Sequence, residues 1–118
     1  MPSNTETPFE EISVETFAQR LQSEQTPPQL IDVREPAELE LAALDGFENL
    51  PLSEFANWSD TIHSRFDSTQ ETIVMCHHGM RSAQMCYWLA QQGFTNLKNL
   101  SGGIDAYSLV VDRSVPRY

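Results

Sequence analysis

One cysteine in this sequence stands in a setting suited to nucleophilic chemistry. The run Ile73-Val74-Met75-Cys76-His77-His78-Gly79-Met80-Arg81-Ser82 places Cys76 at the carboxyl end of an apolar strand, then a tight loop, then a helix start. In open α/β sheets that junction is where ligands bind. A loop of this kind turns successive backbone N–H groups toward one point, and the helix that follows Met80 and Arg81 adds the positive end of its dipole. Both features stabilise an anion, and the thiolate is the reactive form of cysteine. His77, His78 and Arg81 can add positive charge, while Gly79 supplies a position free of a side chain, for a positive φ or for close approach of a ligand. Cys86 differs, because it falls on the apolar stripe of the following helix and reads as a core thiol. Structural zinc draws its ligands from paired spacings. Beyond Cys76, His77 and His78 there is no second Cys or His cluster, only the lone His63 and the core thiol Cys86, so no metal is expected, nor any other cofactor.

The elements that must hold this loop can be read along the chain. Residues 1–8 are polar with two prolines and read as a flexible arm, and residues 9–118 read as one domain. Ser13 is placed to cap a helix carrying Val14, Phe17, Ala18 and Leu21 at helical spacing, and Thr26-Pro27-Pro28 ends it. A buried strand follows over 29–33, then a short helix opened by Pro36 and bearing Leu39 and Leu41, then a turn at Asp45-Gly46. Ser53 is expected to cap a helical stretch with Phe55, Trp58, Ile62 and Phe66. Residues 72–75 are the clearest strand, 82–92 a helix ended by Gly93, 97–100 another strand, and Ile104, Tyr107 and Val111 mark a last helix. Strands alternating with helices imply parallel pairing with helices on both faces, an α/β sandwich.

Composition bounds the partners. The 118 residues include 17 acidic and 7 basic side chains, for a formal net charge of −10. Such a body repels phosphate backbones and anionic lipid, so neither nucleic acid nor a membrane surface is an expected partner. An anionic substrate would need a local positive site, and the loop after Cys76 is where one is expected. The opening residues MPSNTETPFEEIS have neither a basic segment nor an apolar run. No export signal is read there, and with only two cysteines the expected setting is the reducing cytoplasm.

At these residues the sequence resembles the rhodanese-like domain family from about residue 9 onward. LIDVREPAELE is similar to the family's Asp-Val-Arg-x-x-x-Glu segment, CHHGMRS to its Cys-x-x-Gly-x-Arg-Ser active loop, and NLSGGIDAY to its Leu-x-Gly-Gly segment. The resemblance implies a three-layer sandwich with a central, mostly parallel sheet of about five short strands. It implies a thiosulfate sulfurtransferase in which Cys76 carries a persulfide, the backbone of residues 77–81 cradles the outer sulfur, and Arg81 helps bind an anionic donor. Asp32 and Arg34 would then brace the active-site strand, and Gly102 and Gly103 would lie beside the loop. Family members commonly show Gly-His-Ile where this chain has Ala42, Ala43 and Leu44, and a tryptophan where it has Tyr107.

In the chemistry so implied, a thiolate attacks the sulfane sulfur of a donor such as thiosulfate, and the persulfide passes its outer sulfur to a thiol or cyanide. Which thiol or protein accepts the sulfur is not encoded in these motifs, and a monomer is expected. Cysteine phosphatases carry a similar loop but with five residues between cysteine and arginine, against four here, His77 to Met80. The same residues are also compatible with a non-catalytic binding module and with a redox sensor in which Cys76 forms a disulfide.

Overall fold

A computed structural model describes residues 7–118, so the arm expected over residues 1–8 lies mostly outside the described residues. Five strands, β1 (Glu10–Ile12), β2 (Gln29–Asp32), β3 (Glu48–Asn49), β4 (Thr72–Met75) and β5 (Leu97–Leu100), form one sheet in the order β1-β5-β4-β2-β3. Every pairing is parallel. Parallel neighbours need crossover connections. These are supplied by α1 (Val14–Leu21), α2 (Pro36–Leu41), α3 (Phe55–Trp58) with α4 (Ile62–Arg65), and α5 (Met80–Gln91), while α6 (Gly103–Val110) follows the last strand. The chain is therefore the three-layer α/β sandwich that the alternation of elements implies.

The central strand shows why four successive apolar or β-branched residues are the strongest strand signal. All of Thr72 to Met75 are buried. Ile73 and Met75 pack with Val14, Phe17, Leu100 and Ile104 on the α1/α6 side. Val74 and Cys76 pack with Ile31, Trp58, Met85 and Leu89 on the α3–α5 side. A strand covered on both faces has no polar face to alternate with. Each fully buried aliphatic side chain in these layers contributes about 1.5–3 kcal/mol of burial.

Several boundaries differ from expectation. Strand β1 carries no apolar signal at Glu10 and Glu11; it forms by pairing with β5, Glu11 opposite Asn99 and Ile12 opposite Leu100. Ser13 does cap α1, accepting the N–H of Thr16. Ser53 caps nothing. The stretch from Leu52 to Arg65 breaks into 3-10 turns alternating with α3 and α4, and the Ser53 hydroxyl instead donates to Glu35 Oε1 at 2.5 Å. Helix α5 starts at Met80 rather than Ser82, because Gly79 takes the N-cap position with φ +106°.

A buried ion pair ties β2 to the rest. Arg34 is 0% exposed and holds Asp32 through Nε and Nη2 at 2.9 and 2.7 Å, while its Nη1 donates to the Ala42 carbonyl and the Tyr118 hydroxyl, each at 2.9 Å. Next to it, the Val33 N–H donates to the Met75 carbonyl at 3.0 Å, so the segment that holds the ion pair also holds the end of β4. With the carboxylate gone the guanidinium would be left buried and unpaired. Asp32→Ala is expected to cost about 3–5 kcal/mol in urea unfolding, and a loss below about 1 kcal/mol would show that the pair is not needed.

Candidate active site

The loop after β4 is shaped from outside by the start of α6. The first N–H groups of a helix have no partner within it, and here those of Ile104 and Asp105 donate to the carbonyls of Cys76 at 3.0 Å and His77 at 3.2 Å. Because both peptides are trans, the N–H groups on their other edges point away from α6. The contact is so close that a Cβ on Gly103 would lie 2.4 Å from both carbonyl oxygens, and Gly103 has φ +63°. A third carbonyl, that of Gly79, accepts from Asn99 Nδ2 at 3.0 Å. The loop backbone is thus held at three carbonyl anchors, of Cys76, His77 and Gly79.

Cys76 is 1% exposed, at the floor of this loop. The Gly79 N–H donates to its Sγ at 3.0 Å. Ser82 Oγ lies 3.3 Å from the sulfur and 2.5 Å from Asn99 Oδ1. Asn99 donates its amide protons to Gly79 and to Glu11, at 3.0 Å each, and Glu11 is also held by the Ser101 hydroxyl at 2.6 Å. The single Ser82 proton can therefore serve either the sulfur or Asn99, one at a time. Cys86, 0% exposed, has its thiol pushed up to about 12 by burial, which makes it inert at neutral pH.

Charged and aromatic side chains close the other side. Arg81 forks onto Glu38 with contacts of 2.6 and 2.9 Å, and the Tyr118 hydroxyl donates to the same carboxylate at 2.8 Å. The hydrogen bond from Arg81 holds the Glu38 carboxyl down to about 2. The same bond raises Arg81 above its usual range. The His77 ring stacks on Tyr118 at 3.9 Å and 8° and on His78 at 3.9 Å and 28°. Burial, ahead of repulsion from the neighbouring His78, pushes the His77 imidazole below its ordinary value. His78 is mostly exposed, with Nε2 3.8 Å from Asp105, whose carboxylate also takes Arg117 Nε at 2.9 Å. Ligand atoms of His77, His78 and Asp105 fall within 4.8 Å of one another; the Asp105 carboxylate is paired with Arg117, while His77 Nε2 is buried without a hydrogen-bond partner among the described residues.

All the residues expected to act together, Cys76 to Arg81 with Gly102 and Gly103, do converge on this one loop. Two electrostatic expectations are corrected. Arg81 is not a free cation at the loop, because Glu38 compensates it, and His77 takes up a proton less readily than a free imidazole, because it is half-buried and stacked on Tyr118. Met80, whose backbone is expected to line the cradle, carries the loop's most exposed side chain at 79%. The structure adds Ser82, Asn99, Glu11, Glu38 and Tyr118 to the site. Ser82 and Glu38 sit inside the motif runs CHHGMRS and LIDVREPAELE, where a signal for them exists. Glu11 and Asn99 meet only through the β1–β5 pairing, which leaves no local signal.

Residues 13–109 match the rhodanese-like domain family, and the chain belongs to that family. It is 44% identical over 113 residues to a rhodanese-like/PpiC domain-containing protein 12, chloroplastic, of Arabidopsis thaliana, covering 94% of this chain but only 38% of that protein. It is 32% identical over 98 residues to a sulfurtransferase of Allochromatium vinosum, covering 83% of this chain and 87% of that one. A rhodanese-like domain protein of Staphylococcus aureus shares the fold with a TM-score of 0.73 at 22% identity, covering 93% of this chain and 99% of that chain. The protein is thus a rhodanese-like domain with sulfurtransferase relatives. Among the described residues no helix is long and apolar enough to cross a membrane.

The Gly103 contact makes a sharp stability test. A methyl group there meets two backbone carbonyls that cannot move without breaking the anchors, at a φ that side chains disfavour. Gly103→Ala is expected to cost about 2–4 kcal/mol and to speed alkylation of Cys76 by loosening the loop. A variant as stable as the parent, with Cys76 no more reactive, would contradict the clamp.

Proposed function

We propose that the protein is a sulfurtransferase that moves a sulfane sulfur from a donor to a thiol or to cyanide through a persulfide on Cys76, with thiosulfate as a small donor that suffices to load it. The observation that carries this reading is the 3.0 Å contact from the Gly79 N–H to Cys76 Sγ, within a loop whose carbonyls are turned outward. The Cys76 thiolate attacks the outer sulfur of thiosulfate. The bond between the two sulfurs breaks, and sulfite leaves with the electron pair. The acceptor then attacks the outer sulfur of the persulfide, takes it, and returns Cys76 as the thiolate. Both enzyme states are anions, and fixed amide dipoles serve both without reorganising.

The four residues between Cys76 and Arg81 make a cradle smaller than a phosphate ester needs, and the arginine that would grip a phosphoryl group is committed to Glu38. The sulfur-transfer reading is therefore preferred over a phosphatase. Cys76→Ser is expected to lower thiocyanate formation from thiosulfate and cyanide to background with the melting temperature little changed, whereas Cys86→Ser keeps the activity. Turnover that persists in the Cys76 variant, or hydrolysis of a phosphate ester that Cys76→Ser abolishes, would overturn the proposal.

A further inference from the structure

Asn99 on β5 is buried between the active loop and β1. Its Nδ2 donates on one side only to acceptors, the Gly79 carbonyl and the Glu11 carboxylate, each at 3.0 Å. Turned over, the amide would set its own oxygen against that carbonyl and that carboxylate at once, so its orientation is fixed. Glu11 is itself held, its Oε1 accepting from the Ser101 hydroxyl at 2.6 Å. Glu11 lies on β1, ahead of all three segments that resemble the family's, and Ser101 fills the variable position of Leu-x-Gly-Gly. The residues that identify the family therefore do not carry this contact.

The fixed amide aims Oδ1 at the buried Ser82 hydroxyl, 2.5 Å away, and Ser82 Oγ lies 3.3 Å from Cys76 Sγ. With the Ser82 proton on Asn99, the hydroxyl turns its lone pairs toward the sulfur. That arrangement accepts the S–H of a thiol, and it asks nothing of the uncharged inner sulfur of a persulfide. A charge on Sγ calls for the opposite arrangement. The proton then turns to the sulfur, and the buried Asn99 Oδ1 is left without a donor. Each time Sγ becomes a thiolate, one buried hydrogen bond is broken.

Building on the sulfur-transfer reading, we infer that Glu11 is a positioning residue for that reaction: by fixing the Asn99 amide it draws the Ser82 proton away from Cys76, and so favours the forms in which Sγ is uncharged, thiol and persulfide, over the thiolate. Glu11 touches no reacting atom and acts through Asn99 and Ser82. The consequence is a site that holds its sulfur until an acceptor draws it off. In discharge by cyanide, the cyanide carbon attacks the outer sulfur and the S–S bond breaks. Its electron pair stays on Sγ, which becomes the thiolate, and thiocyanate leaves. The Ser82 proton turns to Sγ in that step, against the hold of Asn99.

The test is the pH dependence of iodoacetamide alkylation at Cys76, read by peptide mapping, with the rate at which cyanide discharges the loaded protein. Ionisable groups on the other elements around Cys76, the Arg81–Glu38 and Arg34–Asp32 pairs, His77, His78 with Asp105, and Cys86, are kept in every variant. Glu11→Ala unlocks Asn99 and leaves the Ser82 proton to the sulfur. It is expected to lower the alkylation midpoint by about half to one pH unit, the scale of the hydrogen bond that ionisation no longer breaks, and to speed discharge. Glu11→Gln keeps an acceptor for Asn99 and Ser101 without the charge, and is expected to stay at the parent midpoint, which a purely electrostatic role would not allow. In a Ser82→Ala background Glu11→Ala is expected to change nothing, which a merely loosened loop would not allow. Ser101→Ala shifts the midpoint the same way by less, and carries the test if Glu11→Ala does not fold. A Glu11→Gln protein that moves with Glu11→Ala, a shift that survives without Ser82, or no shift at all overturns the role of Glu11 and leaves sulfur transfer in place. A parent that takes up no sulfur overturns the sulfur-transfer reading and the holding of sulfur with it, while the alkylation series still decides the Glu11–Asn99–Ser82 contact.

Discussion

The contact on which the active loop depends is the meeting of the α6 N-terminus with the carbonyls of Cys76 and His77. Those two acceptors take up helix N–H groups that would otherwise lack a partner, and in doing so they fix the peptide planes that follow the cysteine. Gly103 has to be glycine for the approach to be possible at all, since a Cβ there would fall 2.4 Å from both oxygens. Gly79 then completes the turn in the left-handed region and aims its N–H at the sulfur. The chemistry of the loop is built from backbone, and the side chains around it serve to hold that backbone.

The rest of the fold acts on the loop from the other side of β4. The parallel sheet delivers Cys76 at the carboxyl end of its central strand, between β2 and β5. The end of β2 is held by the buried Asp32–Arg34 pair, and Arg34 passes the connection on through Tyr118 to Glu38 and so to Arg81 at the start of α5. One continuous set of charge-assisted hydrogen bonds therefore runs from the strand that braces β4 to the helix that follows the loop. It leaves the loop rigid and its outer charges compensated, a different electrostatic setting from the positive pocket that the residue types alone suggest.

What local pattern governs is legible in the sequence. Thr72–Met75 and Leu97–Leu100 announce themselves as buried strands, Ser13 as a cap, and the CHHGMRS run as the loop, because each depends on residues adjacent in the chain. Three physical causes hide the rest. Strand β1 exists through its pairing with β5 and not through apolar content, so Glu10 and Glu11 give no sign of it. The stretch from Leu52 to Arg65 is held by Trp58 donating to the Pro51 carbonyl at 2.8 Å and by packing of Trp58, Ile62 and Phe66 into the core, which matters more there than helical continuity. The charge of Arg81 is visible in sequence and suggests a side chain facing the ligand, whereas its partner Glu38 lies 43 residues away and meets it only in the fold.

The most direct test of the central claim is intact-protein mass spectrometry after incubation with thiosulfate, with peptide mapping, before and after cyanide. The account predicts a gain of one sulfur atom on Cys76, none on the buried Cys86, and complete discharge by cyanide with thiocyanate as product. A protein that stays at its unmodified mass, or a sulfur carried elsewhere than Cys76, would contradict it.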